Sequence, residues 1–284
     1  MKVAILGAGA YGRALGKIVR ENGHATKFYD PWKFPERRLD ETLEWSEVII
    51  LVTPADTVKK LLKQFPAEER KKALVVATKG LMEPEVTFAK HEIVELVSGP
   101  GFASEILRDK KVKLTVACEG AMNKGTYAEK LLAGKQVMMD KTEDVKGVAL
   151  LSGLKNIYAI EAGRRGVEFK TEEFEEYIKD VIREAEKFLL YNGGFLETVR
   201  LSAGVGDFVL TCGSEMSRNY RFGQKMTEVG AKWGRKRELR EFLKEYTVEG
   251  VHAARDIERL GLAVPREAEI LRDSIRRIQD AIKY

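Results

Sequence analysis

The chain has 284 residues, 44% of them hydrophobic, which fits a soluble globular protein large enough for two domains and a substantial core. Forty-nine Lys and Arg against 44 Asp and Glu leave a net charge of +5. The basic runs Lys110-Lys111-Val112-Lys113 and Arg235-Lys236-Arg237 nevertheless lack interleaved aromatics and any nucleic-acid module, so they read as solvated faces and no nucleic-acid partner is expected. Two cysteines (Cys118, Cys212) and three scattered histidines (His24, His91, His252) have neither disulfide nor metal-ligand spacing, and no apolar run approaches the ~18 residues of a membrane span. A reduced, cytoplasmic setting with no metal and no span is expected.

In chain order, the first predicted element is a short apolar strand at 2–6. It runs into Gly7-Ala8-Gly9-Ala10-Tyr11-Gly12 and then into a helical pattern through Leu15, Ile18 and Val19. This is the dinucleotide fingerprint in its required setting. Gly7 permits the tight turn, Gly9 lets a diphosphate approach the backbone, Gly12 lets helix and strand pack, and the helix N-terminus faces the anion. The next strand, 25–29, ends at Asp30, 18 residues after Gly12, where an acid that binds the adenine ribose is expected. Asp30 favours NAD over NADP because a carboxylate repels a 2′-phosphate. Lys33, Arg37 and Arg38 follow closely and are placed to relieve that repulsion.

Further strands are predicted at 48–52, 73–77, 93–97, 113–118 and 136–139, separated by helical stretches, which gives a doubly wound, mostly parallel sheet. Thr78-Lys79-Gly80 falls just past the end of one of them, where such sheets bind ligands. At Asp140-Lys141-Thr142 the period changes, with Asp140 or Thr142 as the helix cap. Apart from glycine joints the spacing is helical from there to Tyr284. The predicted domains are 1–141 and 142–284, packed directly together with Lys155 reaching the cleft.

Lys155 has Leu151, Ser152, Tyr158 and Ala159 as its helical neighbours, none of them an acid. Two readings compete: a stem that snorkels along an apolar face to water, or a buried amine brought toward proton transfer near neutrality. The run from Ala203 to Gly223 (AGVGDFVLTCGSEMSRNYRFG) sets flexible glycines beside Asp207, then presents Ser217-Arg218-Asn219. It reads either as a capped helix start followed by a solvated turn, or as an anion grip beside a titrating group. Cys212 within it reads as a small buried filler rather than a nucleophile.

Together these segments resemble the NAD(P)-dependent glycerol-3-phosphate dehydrogenases. The resemblance rests on the glycine loop, Thr78-Lys79-Gly80, Gly99-Pro100-Gly101-Phe102-Ala103-Ser104-Glu105, Leu154-Lys155-Asn156, Gly204 to Gly223, and Val248-Glu249-Gly250-Val251, all in that order. It implies a Rossmann-type sheet domain followed by an all-α domain, as in the 6-phosphogluconate-dehydrogenase-like proteins. It implies NAD or NADP as cofactor, a homodimer, and reduction of dihydroxyacetone phosphate to sn-glycerol 3-phosphate. It also implies roles. Lys155 is proton donor or acceptor, supported by Asp207, with Lys79, Asn156 and Thr211 around the carbonyl. Ser217, Arg218 and Asn219 hold the substrate phosphate, Arg218 and Glu249 lie near the cofactor with Gly7, Gly9, Ala10, Tyr11, Gly12 and Asp30, and Gly99, Gly101 and Ala103 supply backbone contacts.

The chain departs from the family pattern in three places. Only 17 residues separate Asp30 from the next strand, which predicts a trimmed sheet; the segment 164–200 lacks the Asn-bearing and Thr-Arg-Gly segments of many relatives; and Gly101 stands where Ser or Asn is usual. A reductase of another small phosphorylated or carboxylated ketone, or a non-catalytic NAD-binding sensor, are the competing readings.

Overall fold

A computed structural model describes residues 1–80, 83, 88, 90–230 and 236–282. Arg235 of the second basic run and Tyr284 at the end of the helical pattern lie outside the described residues. The chain divides into two compact units: the described residues of Met1–Lys79 and Glu83–Val148 form one, and Gly80 with those of Ala149–Tyr284 the other.

The first unit is a seven-stranded sheet of β1 (Lys2–Leu6), β2 (Ala25–Tyr29), β3 (Val48–Leu51), β4 (Ala73–Val76), β5 (Val94–Ser98), β6 (Val112–Ala117) and β7 (Val137–Thr142). Their spatial order is β2-β1-β3-β4-β5-β6-β7, with every neighbouring pair parallel except β5 and β6. All four residues of β3 and of β4 are buried, as continuous apolar runs must be when both faces of a parallel sheet are covered. The covering helices are α1 (Ala10–Glu21), α2 (Leu39–Trp45), α3 (Ala55–Leu62), α4 (Ala103–Leu107) and α5 (Tyr127–Leu132). On α1, Ala14, Leu15, Ile18 and Val19 recur at helical spacing and are buried against Val3, Ile5 and Ile50 of the sheet. The short connection after Asp30 is trimmed to the seven-residue α2, while the sheet keeps all seven strands.

The second unit is helical. It comprises α6 (Val145–Arg165, whose first turn belongs to the first unit), α7 (Glu172–Tyr191), α8 (Asp207–Cys212), α9 (Arg218–Gly230), α10 (Lys236–Glu245), α11 (Glu249–Arg259) and α12 (Glu269–Ile282). From Ala149 to Ala162 every residue of α6 is buried, so this stretch has no solvent-facing stripe and forms the centre of the unit. Tyr158 meets the Phe208 ring edge-on at 5.8 Å, in a core shared with Phe188 and Phe222.

The α6 cap differs from the expectation. Asp140 lies inside β7, where it accepts a bond from the Thr115 hydroxyl at 2.5 Å, and Thr142 is the last residue of that strand. Asp144 performs the capping, accepting from Gly147 N–H at 2.7 Å. The unit division accordingly falls at Val148, seven residues past the predicted 141, inside one continuous helix. The segment 164–200 builds α7, whose Tyr177 hydroxyl bonds the Tyr158 carbonyl at 2.7 Å and whose Glu184 accepts from Ile270 and Leu271 N–H at 2.7 and 2.9 Å. These polar side chains therefore serve the core.

Candidate active site

In the first unit, the glycine loop lies at the C-terminal end of β1, the edge at which β4 ends before Lys79 and β5 ends before Gly99. Gly7 has φ +113°, and a Cβ there would lie 2.9 Å from the Val52 carbonyl oxygen. A Cβ on Gly12 would lie 2.1 Å from the Gly7 oxygen, so the turn closes only over glycine. Gly9 is different, since a Cβ there would meet nothing within 4 Å. Its exposed backbone, with Ala10 and Tyr11 opening the 12-residue α1 behind it, leaves room for a diphosphate at a helix N-terminus. The residues present thus fit a dinucleotide.

Asp30 fastens this loop. Its Oδ2 accepts from Ala8 N–H at 2.8 Å, while Oδ1 accepts from Trp32 and Lys33 N–H at 3.1 and 3.3 Å. Lys79 Nζ lies 4.9 Å from the centre of the Tyr11 ring, which sets a cation beside the loop. Gly99, with φ +144°, approaches β6 so closely that a Cβ would lie 3.0 Å from Leu114 Cα. Gly101 and Ala103 follow, the latter opening α4, where the Glu105 carboxylate accepts from Phe102 N–H at 3.4 Å.

In the second unit, α6 carries Lys155 into the interior at 3% exposure. Its ammonium donates to Asp207 Oδ2, and the Thr211 hydroxyl donates to Asp207 Oδ1 at 3.2 Å. Asp207 reaches this position because the wide helical turn Ser202–Gly206 swings the chain into α8. A Cβ on Gly204 would lie 2.0 Å from the Val199 oxygen, so that turn needs glycine. Of the two sequence readings of Lys155, the structure selects burial over snorkelling and adds a carboxylate partner that no helical neighbour could supply. Burial pushes the Cys212 thiol well up, which removes it as a nucleophile.

The next residue, Asn156, belongs to a second network. Its amide donates to the Ser152 carbonyl at 2.9 Å, its oxygen accepts from the Asn219 amide at 2.8 Å, and the Asn219 oxygen accepts from Gly250 N–H at 2.9 Å. Asn219 thereby ties α6, α9 and α11 to one another. Ser217 caps α9 by accepting from Tyr220 N–H at 3.3 Å. Arg218, the first residue of α9 and two-fifths exposed, reaches Glu249 Oε1 at 2.6 Å. Gly80 N–H donates to the Ser152 hydroxyl at 3.3 Å.

Within the second unit the structure gathers Lys155, Asp207 and Thr211 into one cluster, Asn156 and Asn219 into another, and Arg218 with Glu249 into a third. Within the first it gathers Gly7 to Gly12, Asp30 and the Lys79–Tyr11 pair. One side chain at the glycine loop escaped the sequence reading: Arg13, whose guanidinium donates to the Ala8 carbonyl at 3.0 Å. Its signal was its place immediately after Gly12, in the first turn of the helix.

An open glycine loop on a parallel sheet, joined in one chain to a helical unit with a buried ammonium–carboxylate pair, is the build of a nicotinamide-dependent dehydrogenase. Comparison with known proteins makes the class particular. Residues 34–124 match the family model described as NAD-dependent glycerol-3-phosphate dehydrogenase N-terminus, and residues 144–280 match the one described as its C-terminus. The chain belongs to the NAD-dependent glycerol-3-phosphate dehydrogenase family.

Among its relatives, the glycerol-3-phosphate dehydrogenase [NAD(P)+] of Paracoccus denitrificans is 31% identical over 93% of this chain and 90% of its own length. The crystal structure of glycerol-3-phosphate dehydrogenase from Coxiella burnetii has the same fold, with a TM-score of 0.77 at 23% identity over 100% of this chain and 99% of that one. So does the Saccharomyces cerevisiae enzyme, with a TM-score of 0.75 at 17% identity over 100% of this chain and 99% of that one. Among the described residues no helix is long and apolar enough to cross a membrane.

Proposed function

We propose that the protein reduces dihydroxyacetone phosphate to sn-glycerol 3-phosphate, reversibly, with NADH or NADPH. The observation that carries this reading is the buried Lys155–Asp207–Thr211 cluster. When bound, the nicotinamide supplies the hydride that reduces the carbonyl carbon. The carbonyl oxygen gains negative charge in that step, and the Lys155 ammonium gives it a proton. Asp207 holds the ammonium aimed before the transfer, and Thr211 fixes the other carboxylate oxygen. In the oxidative direction the neutral Lys155 amine takes the hydroxyl proton back.

Lys79, Gly99 and Gly101 also belong to the substrate-binding residues of this reading. In the second unit Arg218 is the fork for the phosphate dianion, exchanging Glu249 for the substrate, while Ser217 and Asn219 hold Arg218 in place through the start of α9. Assembly as a homodimer in the cytoplasm belongs to the same reading.

The test is NADH and NADPH oxidation with dihydroxyacetone phosphate. Oxidation that depends on this substrate is expected; a folded protein that binds cofactor and turns over none of it would overturn the reading. A panel of other small phosphorylated and carboxylated ketones separates the competing reductase activities.

A further inference from the structure

Three cations recur on one face of α9 at helical spacing: Arg218, Arg221 and Lys225. Arg218 holds Glu249 at 2.6 Å, and Lys225 holds Glu228 and Glu238 at 3.0 Å each. Arg221, between them, makes no ion pair among the described residues. Its N–H closes the first turn of the helix on the Ser217 carbonyl at 3.1 Å, which fixes it one turn beyond Arg218. Its guanidinium lies 5.0 Å from the centre of the Tyr246 ring, and its Nε–H is buried without a hydrogen-bond partner.

Tyr246 stands three residues before Glu249, in the connection between α10 and α11. Glu245 raises the Tyr246 hydroxyl above its ordinary range, and Arg221 opposes that rise. Anchoring a helix to a ring does not require a charge, and a buried guanidinium N–H without an acceptor is costly. Arg221 thus carries a spare charge and a spare donor one turn along from the Arg218–Glu249 pair. That pair needs both. When Arg218 turns to the substrate phosphate, the Glu249 side chain, only 19% exposed, loses its counter-charge in a largely covered position.

We propose that Arg221 is a positioning residue for substrate binding: it receives the Glu249 carboxylate when Arg218 is drawn to the phosphate, so that one acid passes along the helix face from one guanidinium to the next. The proposal rests on the reading of Arg218 as the phosphate fork. Arg221 itself touches no substrate; it lowers the cost of releasing Arg218, and its long stem and planar fork suit it to take over a carboxylate.

The experiment is steady-state kinetics with dihydroxyacetone phosphate at saturating NADH, with NADH titration alongside, for the wild type, Arg221→Met, Arg221→Lys and Glu249→Gln, and for each Arg221 variant combined with Glu249→Gln. Arg221→Met is expected to raise KM on the order of ten-fold, the size of one charge-assisted contact, with kcat and NADH affinity changed by less than about three-fold. Arg221→Lys keeps the charge and should show a smaller rise. With Glu249→Gln in place there is no carboxylate to receive, so adding Arg221→Met should raise KM by less than about three-fold. An unchanged KM in Arg221→Met, or a rise of the same size in both backgrounds, overturns the proposal and leaves the phosphate reading standing. NADH binding reports whether a variant is folded; where Arg221→Met is not, an equal rise for Arg221→Lys in both backgrounds overturns the proposal in the same way. A wild type that turns over no dihydroxyacetone phosphate overturns the reading beneath it as well.

Discussion

Lys155 has no acid at helical spacing; its partner Asp207 comes from 52 residues further along the chain. Removing either partner would leave the other buried without its counter-charge, so the pair stands or falls together. Lys155→Ala should lower turnover by about 10²–10⁴-fold while NADH binding to the first unit persists. Steady-state rates alongside NADH titration check this, and unchanged turnover would remove Lys155 from the chemistry. Arg218→Ala should act differently, raising KM for the phosphorylated substrate by a factor equivalent to about 1.5–3 kcal/mol, because a charge-assisted contact is lost in ground and transition state alike. A KM equal to that of the wild type would contradict the phosphate assignment. At this scale the sequence singled out Gly9, Lys155 and Arg218 because their motifs combine shape with charge. It told least where function depends on a partner distant in the chain. Asn219, expected at the substrate phosphate, also joins Asn156 to Gly250 through its side-chain amide, and nothing local announces that link.

Among the elements, α6 decides the second unit, and glycines decide how closely others approach it. A Cβ on Gly163 would lie 1.9 Å from the Tyr220 oxygen on α9, and a Cβ on Gly223 of α9 would lie 1.9 Å from the Ile160 oxygen on α6. The two helices therefore touch backbone to backbone, which sets the position of Arg218 at the start of α9. Gly223→Ala should force them apart and destabilise the protein by about 1–3 kcal/mol, the usual cost of overpacking. A fall in Tm, together with a raised KM as Arg218 shifts, is the expected result. An unchanged Tm would show that the helices have slack. All seven strands were legible to within three residues at their ends, β3 and β4 most directly, because strands buried on both faces of a parallel sheet are written as uninterrupted apolar runs. The start of α6 was not, since Asp140, Thr142 and Asp144 all resemble caps and only the register of β7 with β6 draws the first two into the sheet.

For the molecule as a whole, the division into a sheet unit and a helical unit was legible from the change of period, whereas the point of division was not, because α6 runs through it. A buried charge cluster links the C-terminal end of α6 to α12, and it makes stability depend on pH. Glu161, 1% exposed, accepts from Arg164 at 2.7 Å, from Arg165 at 2.9 Å and from Arg277 of α12 at 3.2 Å. Burial by itself would raise its carboxyl, but the Arg164 and Arg165 guanidinium groups more than offset that and hold it below the ordinary carboxylate range. The folded state therefore releases this proton more readily than the unfolded chain does. Its contribution is complete above the unfolded value near 4.5 and is lost as pH falls through the lower, folded value. Glu184 and Glu95 have the opposite sign: burial raises both despite the backbone N–H bonds they accept, so what they add is present at low pH and lost as pH rises through their folded values. Glu161→Gln should lower stability at neutral pH by about 1.5–3 kcal/mol, the worth of hydrogen bonds to a charged group. The deficit should shrink as pH falls below about 4.5, because the wild-type carboxyl is then being neutralised as well. Thermal unfolding of both proteins from neutral pH down to about pH 3 checks this linkage. Converging Tm values are expected, and a gap that stays constant across the range would mean that Glu161 acts through packing and not through its charge.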